Sequence, residues 1–125
     1  MSAAEAPKVD WYESAFSRVV AGVGDEWDKI SAKNNITQEE RSGIFSWFKK
    51  TWPQKQQNLK DCENRIEELW LSGKTDGKSQ AEFNEQLRIY RNGHVWLMEK
   101  FIVAKKEKEA EEAKNAGKPR QGRLI

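Results

Sequence analysis

Chemistry in this chain would have to run through very few side chains. His94 is the one histidine and Cys62 the one cysteine. A general base needs a proton donor within reach and a partner that orients it. A reactive thiol needs a base or a positive field to hold it as thiolate. His94 falls on a stripe of apolar residues at helical spacing, with no serine or carboxylate placed by sequence to complete a triad. Cys62 falls on a second such stripe, where a thiol is expected to act as a small buried hydrophobe. One histidine and one cysteine make no His/Cys metal set, so neither metal nor cofactor is expected.

Two further segments carry polar groups at suggestive spacing. Gly73-Lys74-Thr75-Asp76-Gly77-Lys78-Ser79 resembles a phosphate-binding loop in composition. That loop needs four residues between its first glycine and the Gly-Lys-Ser/Thr, and a strand before it. Here there are three, and the preceding residues read as helix, so an ordinary turn and helix cap are expected. Asp25, Glu26 and Asp28 form an acidic knot around Trp27. A calcium loop alternates its oxygen ligands about a glycine. A knot on a helix reads instead as a solvated face, open to a basic partner.

The segment with the strongest claim on function is Ile44-Phe45-Ser46-Trp47-Phe48-Lys49-Lys50-Thr51-Trp52. Ile44, Phe48 and Trp52 share one helical face at i, i+4; Trp47 lies near it, and Phe45 points away. A short helix has difficulty burying both sets against one core. Phe45, Trp47, Lys49, Lys50 and Trp52 are therefore the candidate partner-binding residues, with Trp47 and Trp52 as anchors. A second set, Lys55, Arg88, Arg91, Lys118, Arg120 and Arg123, would contact phosphates if the partner were a nucleic acid.

These groups must be positioned by a chain of 125 residues, long enough for one core. Apolar residues make up 37% and charged residues 34%, which favours helices that each bury one stripe. The 6 tryptophans supply large buried area from few positions. Net charge is +2, but it is polarised: 4 basic and 8 acidic groups precede residue 41, and 18 basic and 12 acidic follow. A single cysteine suits a reducing compartment. The first residues have neither the basic nor the apolar region of a secretory signal. Cytoplasmic residence without a transmembrane segment is expected.

Periodicity and caps predict four helices. Tyr12, Phe16, Val19, Val20, Val23, Trp27 and Ile30 step by threes and fours after Asp10, an N-cap candidate with Glu13 at capping-box spacing. Gly22 and Gly24 in their midst suggest a close helix crossing or a kink. Thr37 and Glu40 form a capping box for a second helix, which Pro53 ends near Trp52. Pro53 suits the first turn of a third, whose seam is Leu59, Cys62, Ile66 and Leu69, with Gly73 beyond its end. Ser79 with Glu82 predicts a capping box for the fourth. Its stripe of Phe83, Leu87, Tyr90, His94, Leu97, Phe101 and Ala104 continues across Asn92-Gly93, favouring one unbroken helix. From Lys105 to Lys114 the stripe fades into Lys, Glu and Ala.

The expected fold is an all-α, single-domain helical bundle of about four helices, with a long C-terminal helix extending beyond the core. The expected limits are a disordered arm at 1–9, helices at about 10–33, 38–51, 53–72 and 80–114, a charged extension at 105–114 and a flexible basic tail at 115–125. Short links favour antiparallel neighbours. The expected function is a non-enzymatic protein–protein interaction module: an adaptor, assembly factor or inhibitor of a larger complex. The charged extension would supply a second surface or a homo-oligomer contact. The alternative is a small nucleic-acid-binding protein; an enzyme ranks third.

Overall fold

The computed structural model describes the backbone of residues 2–124 and the side chains of residues 11–115. It contains four helices and, among the described residues, no strand: α1 (Ser2–Asn34), α2 (Gln38–Thr51), α3 (Pro53–Ser72) and α4 (Gly77–Leu124).

The helix boundaries follow from local chemistry. Asn35 adopts a left-handed conformation at φ 55°, and the Ile36 N–H donates to Ser31 O at 2.9 Å. That bond closes α1 in a Schellman turn, and Ile36 is buried as its apolar lock. Thr37 then opens α2 with both halves of the capping box in place: Glu40 N–H donates to Thr37 Oγ1 at 3.1 Å, and Thr37 N–H to Glu40 Oε1 at 2.9 Å. Trp52 alone separates α2 from α3, its N–H donating to Phe48 O at 2.7 Å. Pro53, lacking an N–H, takes the first position of α3. Gly73 ends α3 at φ 65°, a conformation that costs a side chain its Cβ clearance.

Several sequence expectations change. The backbone is helical from Ser2, so Asp10 lies inside α1 rather than at its cap. α4 runs from Gly77 to Leu124, so its helical backbone begins earlier than residue 80 and continues past Lys114. The cap of α4 is Asp76, not Ser79: its carboxylate accepts from Ser79 N–H at 3.0 Å and from Ser79 Oγ–H at 2.8 Å. Glu82, assigned to the Ser79 box, pairs instead with Arg65, whose Nη2 lies 2.8 Å away. Finally, Gly22 and Gly24 mark no close crossing; a Cβ at either would meet open space.

The arrangement is read from which residues meet along α4. From α3, Leu59 meets Gly93, Cys62 meets Gln86 and Arg65 meets Glu82, so α3 is antiparallel to α4. From α2, Glu40 meets Lys105, Trp47 meets Phe101 and Phe48 meets Trp96, so α2 is antiparallel to α4 as well. α2 and α3 therefore run in the same sense, as one rod broken at Trp52-Pro53, rather than folding back on each other as their short link had suggested. α1 runs parallel to α4, Tyr12 meeting Phe83 and Trp27 meeting His94.

Two clusters fill the space between these rods. One holds Val23, Trp27, Ile44, Phe48, Leu59, Leu97 and Met98; the other holds Tyr12, Cys62, Ile66, Leu69, Phe83 and Leu87. Val19 and Tyr90 pack against both and join them. Ile44, Phe48, Phe83 and Leu97 are fully buried. Each contributes roughly 1.5–3 kcal/mol relative to exposure, well above an exposed ion pair, so the stripes set the fold. Beyond Lys105, residues 106–115 of α4 are exposed and extend past the core.

Candidate interaction surface

The structure divides the aromatic run of α2. Ile44 and Phe48 enter the core. Trp47 turns the same way: it is half-buried and meets the Phe101 ring edge-on at 5.5 Å. Phe45 is half exposed, with its ring 5.8 Å from His94. Trp52 keeps 37% exposure and sets its ring edge-on to Trp96 at 5.2 Å. Lys49 and Lys50 are exposed in the last turn of α2, where positive charge complements the helix dipole.

Trp52 and Trp96 form the centre of a cationic aromatic face. Lys55 Nζ stands 5.1 Å from the Trp96 ring centroid, and Lys100 Nζ 5.4 Å from Trp96 and 5.8 Å from Trp52. The indole faces hold these ammonium groups by cation–π attraction. Among the described residues neither lysine has a carboxylate within ion-pair distance. Beside Trp96, between α3 and α4, opens a cleft of about 340 Å³. Phe48 and Leu59 are its buried base, Ile89 and Trp96 its apolar walls, and Lys55, Asn58, Arg88 and Asn92 its polar edge.

Two of the residues assigned to phosphate contact, Lys55 and Arg88, thus meet in one cleft. Arg88 already pairs with Glu85, its Nε and Nη2 donating at 2.6 and 3.1 Å. Arg91 is exposed and lies outside the cleft lining. The side chains of Lys118, Arg120 and Arg123 lie outside the described residues. Trp96, Ile89 and Lys100 were not among the sequence candidates. The available signal was Trp96 itself, an aromatic between stripe positions His94 and Leu97, with Lys100 four residues on.

The groups that could do chemistry are used in packing. Trp27 Nε1–H donates to His94 Nδ1 at 3.2 Å, which requires the neutral tautomer with its proton on Nε2. Burial pushes the His94 pKa down to about 4. The Cys62 thiol donates to Gln86 O at 3.0 Å, and burial pushes its pKa up to about 11, the reverse of an activated thiolate. The helix end at Gly77 is occupied by Asp76, whose carboxyl is held below its ordinary range by the Ser79 hydroxyl. Among the described residues no three His, Cys, Asp or Glu side chains converge on a metal-sized site. No helix among them is long and apolar enough to cross a membrane.

No protein family, characterised protein or solved structure matches this chain.

Proposed function

We propose that this chain is a non-enzymatic protein–protein interaction module, acting as an adaptor, assembly factor or inhibitor of a larger complex. One observation carries the reading: the Trp52–Trp96 pair stands partly exposed with Lys55 and Lys100 over its rings, beside a cleft that no described side chain fills. Partly exposed indoles are among the residue types from which binding hot spots are built. Phe45 offers a second apolar contact on α2. The exposed 106–115 stretch of α4 offers a longer contact, to a partner or to a second copy. The reading places the protein in the cytoplasm, in keeping with a free buried thiol at Cys62.

The test is capture of partners by the tagged protein from its native host, repeated with Trp52→Ala and Phe45→Ala variants whose helical content is checked by circular dichroism. A partner retained by the native chain and lost from a folded variant supports the reading. Light scattering on a sizing column addresses self-association.

A second reading, a nucleic-acid-binding protein, is favoured by the meeting of Lys55 and Arg88 beside an indole on which a base could stack. It requires affinity that falls steeply as salt rises.

A further inference from the structure

We infer that the α3/α4 cleft and the Trp52–Trp96 face receive an acidic amphipathic helix of a partner protein. The inference rests on the proposed interaction role and names the chemistry of the partner.

The dimensions point to a helix carrying apolar anchors. At about 340 Å³ the cleft is at the small end of ligand sites, which run from roughly 300 to 1,000 Å³. It is bounded along α4 by Arg88 and Trp96, two turns apart, about 12 Å of helix axis. That accommodates side chains at i and i+7 of a docked helix, about 10.5 Å apart along its axis, the spacing used in helix-in-groove recognition. Ile89, 39% exposed, and Trp52, 37% exposed, are the apolar surfaces such anchors would cover.

The charge points to an acidic partner. Lys55 at the cleft and Lys100 over the indoles have, among the described residues, no carboxylate within ion-pair distance. A Glu or Asp flanking each apolar anchor would pair with one of them as the indoles are dried. Arg88, already bound to Glu85, adds little. A polyanion is less suited, because two cations release few counterions.

The probe is a synthetic peptide of about 15 residues with Leu at i, i+3, i+4 and i+7 and Glu elsewhere. The expected result is a shift of the Trp96 and Trp52 indole N–H resonances on titration. Binding should weaken about tenfold or more in Lys55→Glu/Lys100→Glu, and comparably in Ile89→Asp. All three substitutions are at residues outside the buried core, and circular dichroism confirms that each variant folds. Equal binding by a peptide with Lys in place of Glu overturns the inference. So does tighter, steeply salt-dependent binding of an oligothymidylate of about 12 nucleotides, which would assign the face to nucleic acid. If the acidic peptide fails while a captured partner depends on Phe45 and not on Lys55 and Lys100, the inference falls and the interaction role stands. If no surface variant affects capture, both fall.

Discussion

Trp27 and His94 meet across α1 and α4, the indole N–H donating to Nδ1 of a neutral, buried imidazole at 3.2 Å. The bond satisfies a polar atom on each side inside the first core cluster, and it fixes one tautomer of the histidine. His94 therefore acts here as a packing residue whose protonation is opposed by the fold.

That opposition makes stability depend on pH. The unfolded chain protonates His94 near 6.5, the folded chain near 4. Between these values the unfolded state binds the extra proton, so stability falls as pH drops through the window, by at most about 3 kcal/mol. Below pH about 4 the histidine adds no further loss. There the lowered carboxyls of Glu40, Asp76 and Glu82 take over, since each stabilises the fold above its ordinary range and ceases to as it is protonated. Urea titrations from pH 4 to 7 should show the slope. In His94→Asn, whose amide oxygen can still accept from Trp27, the slope between pH 5 and 7 should be much reduced while stability at pH 7 drops modestly.

Glycine substitutions should separate one position from two others. A Cβ at Gly93 would stand 3.0 Å from Leu59 Cδ1, whereas at Gly22 and Gly24 it meets nothing within 4 Å. In a helix interior Ala gains about 1 kcal/mol over Gly, so Gly22→Ala should raise the melting temperature by a few degrees. At Gly93 the same gain is set against displacing the end of the buried Leu59 side chain, an overpacking cost of about 1–3 kcal/mol. Gly93→Ala should be net destabilising, and the penalty should shrink in a Leu59→Ala background.

The contrast between these glycines shows what sequence can and cannot carry. Gly22 and Gly93 sit alike inside helical stripes, and only the placement of α3 against α4 makes one a close contact. The Thr37/Glu40 box, Pro53 and Gly73 were legible because their chemistry is local. At the fourth helix two caps competed, Asp76 with Ser79 and Ser79 with Glu82. The outcome turned on Arg65, a residue of another helix that takes Glu82. The same limit applies to the aromatic run. Spacing put Trp47 and Phe45 on different sides of α2, but which side faces α4 is set by Phe101 and Trp96, far along the chain.

Glu40 serves two structures at once, which gives a graded test. Its carboxylate caps α2 through Thr37 and accepts from Lys105 Nζ at 2.8 Å, pinning the start of α2 to the far end of the core. Lys105 is 13% exposed in its side chain and also faces Glu109 at 3.8 Å. Glu40→Gln keeps a hydrogen-bonding group for the cap and removes the charge. Glu40→Ala removes both. Thermal melts should therefore rank native above Gln above Ala. Thr37→Ala should cost about 1 kcal/mol through the cap alone. Added salt should narrow the gap between native and Gln, and leave that between Gln and Ala nearly unchanged.

Trp47 and Trp52, five residues apart on the same run, should respond in opposite ways to truncation. Trp47 packs against Phe101 and the first core cluster, so Trp47→Ala opens a void and should lower stability by about 2–4 kcal/mol. Any loss of partner binding should then follow the unfolded fraction and recover on cooling. Trp52 retains over a third of its surface and contributes mainly its contact with Trp96. Trp52→Ala should cost about 1–2 kcal/mol in stability, yet weaken partner binding at temperatures where the variant is fully folded. Binding and melting measured on the same samples decide the matter. Equal loss of binding from both variants at full folding would return Trp47 to the surface, and loss from neither would remove this face from recognition altogether.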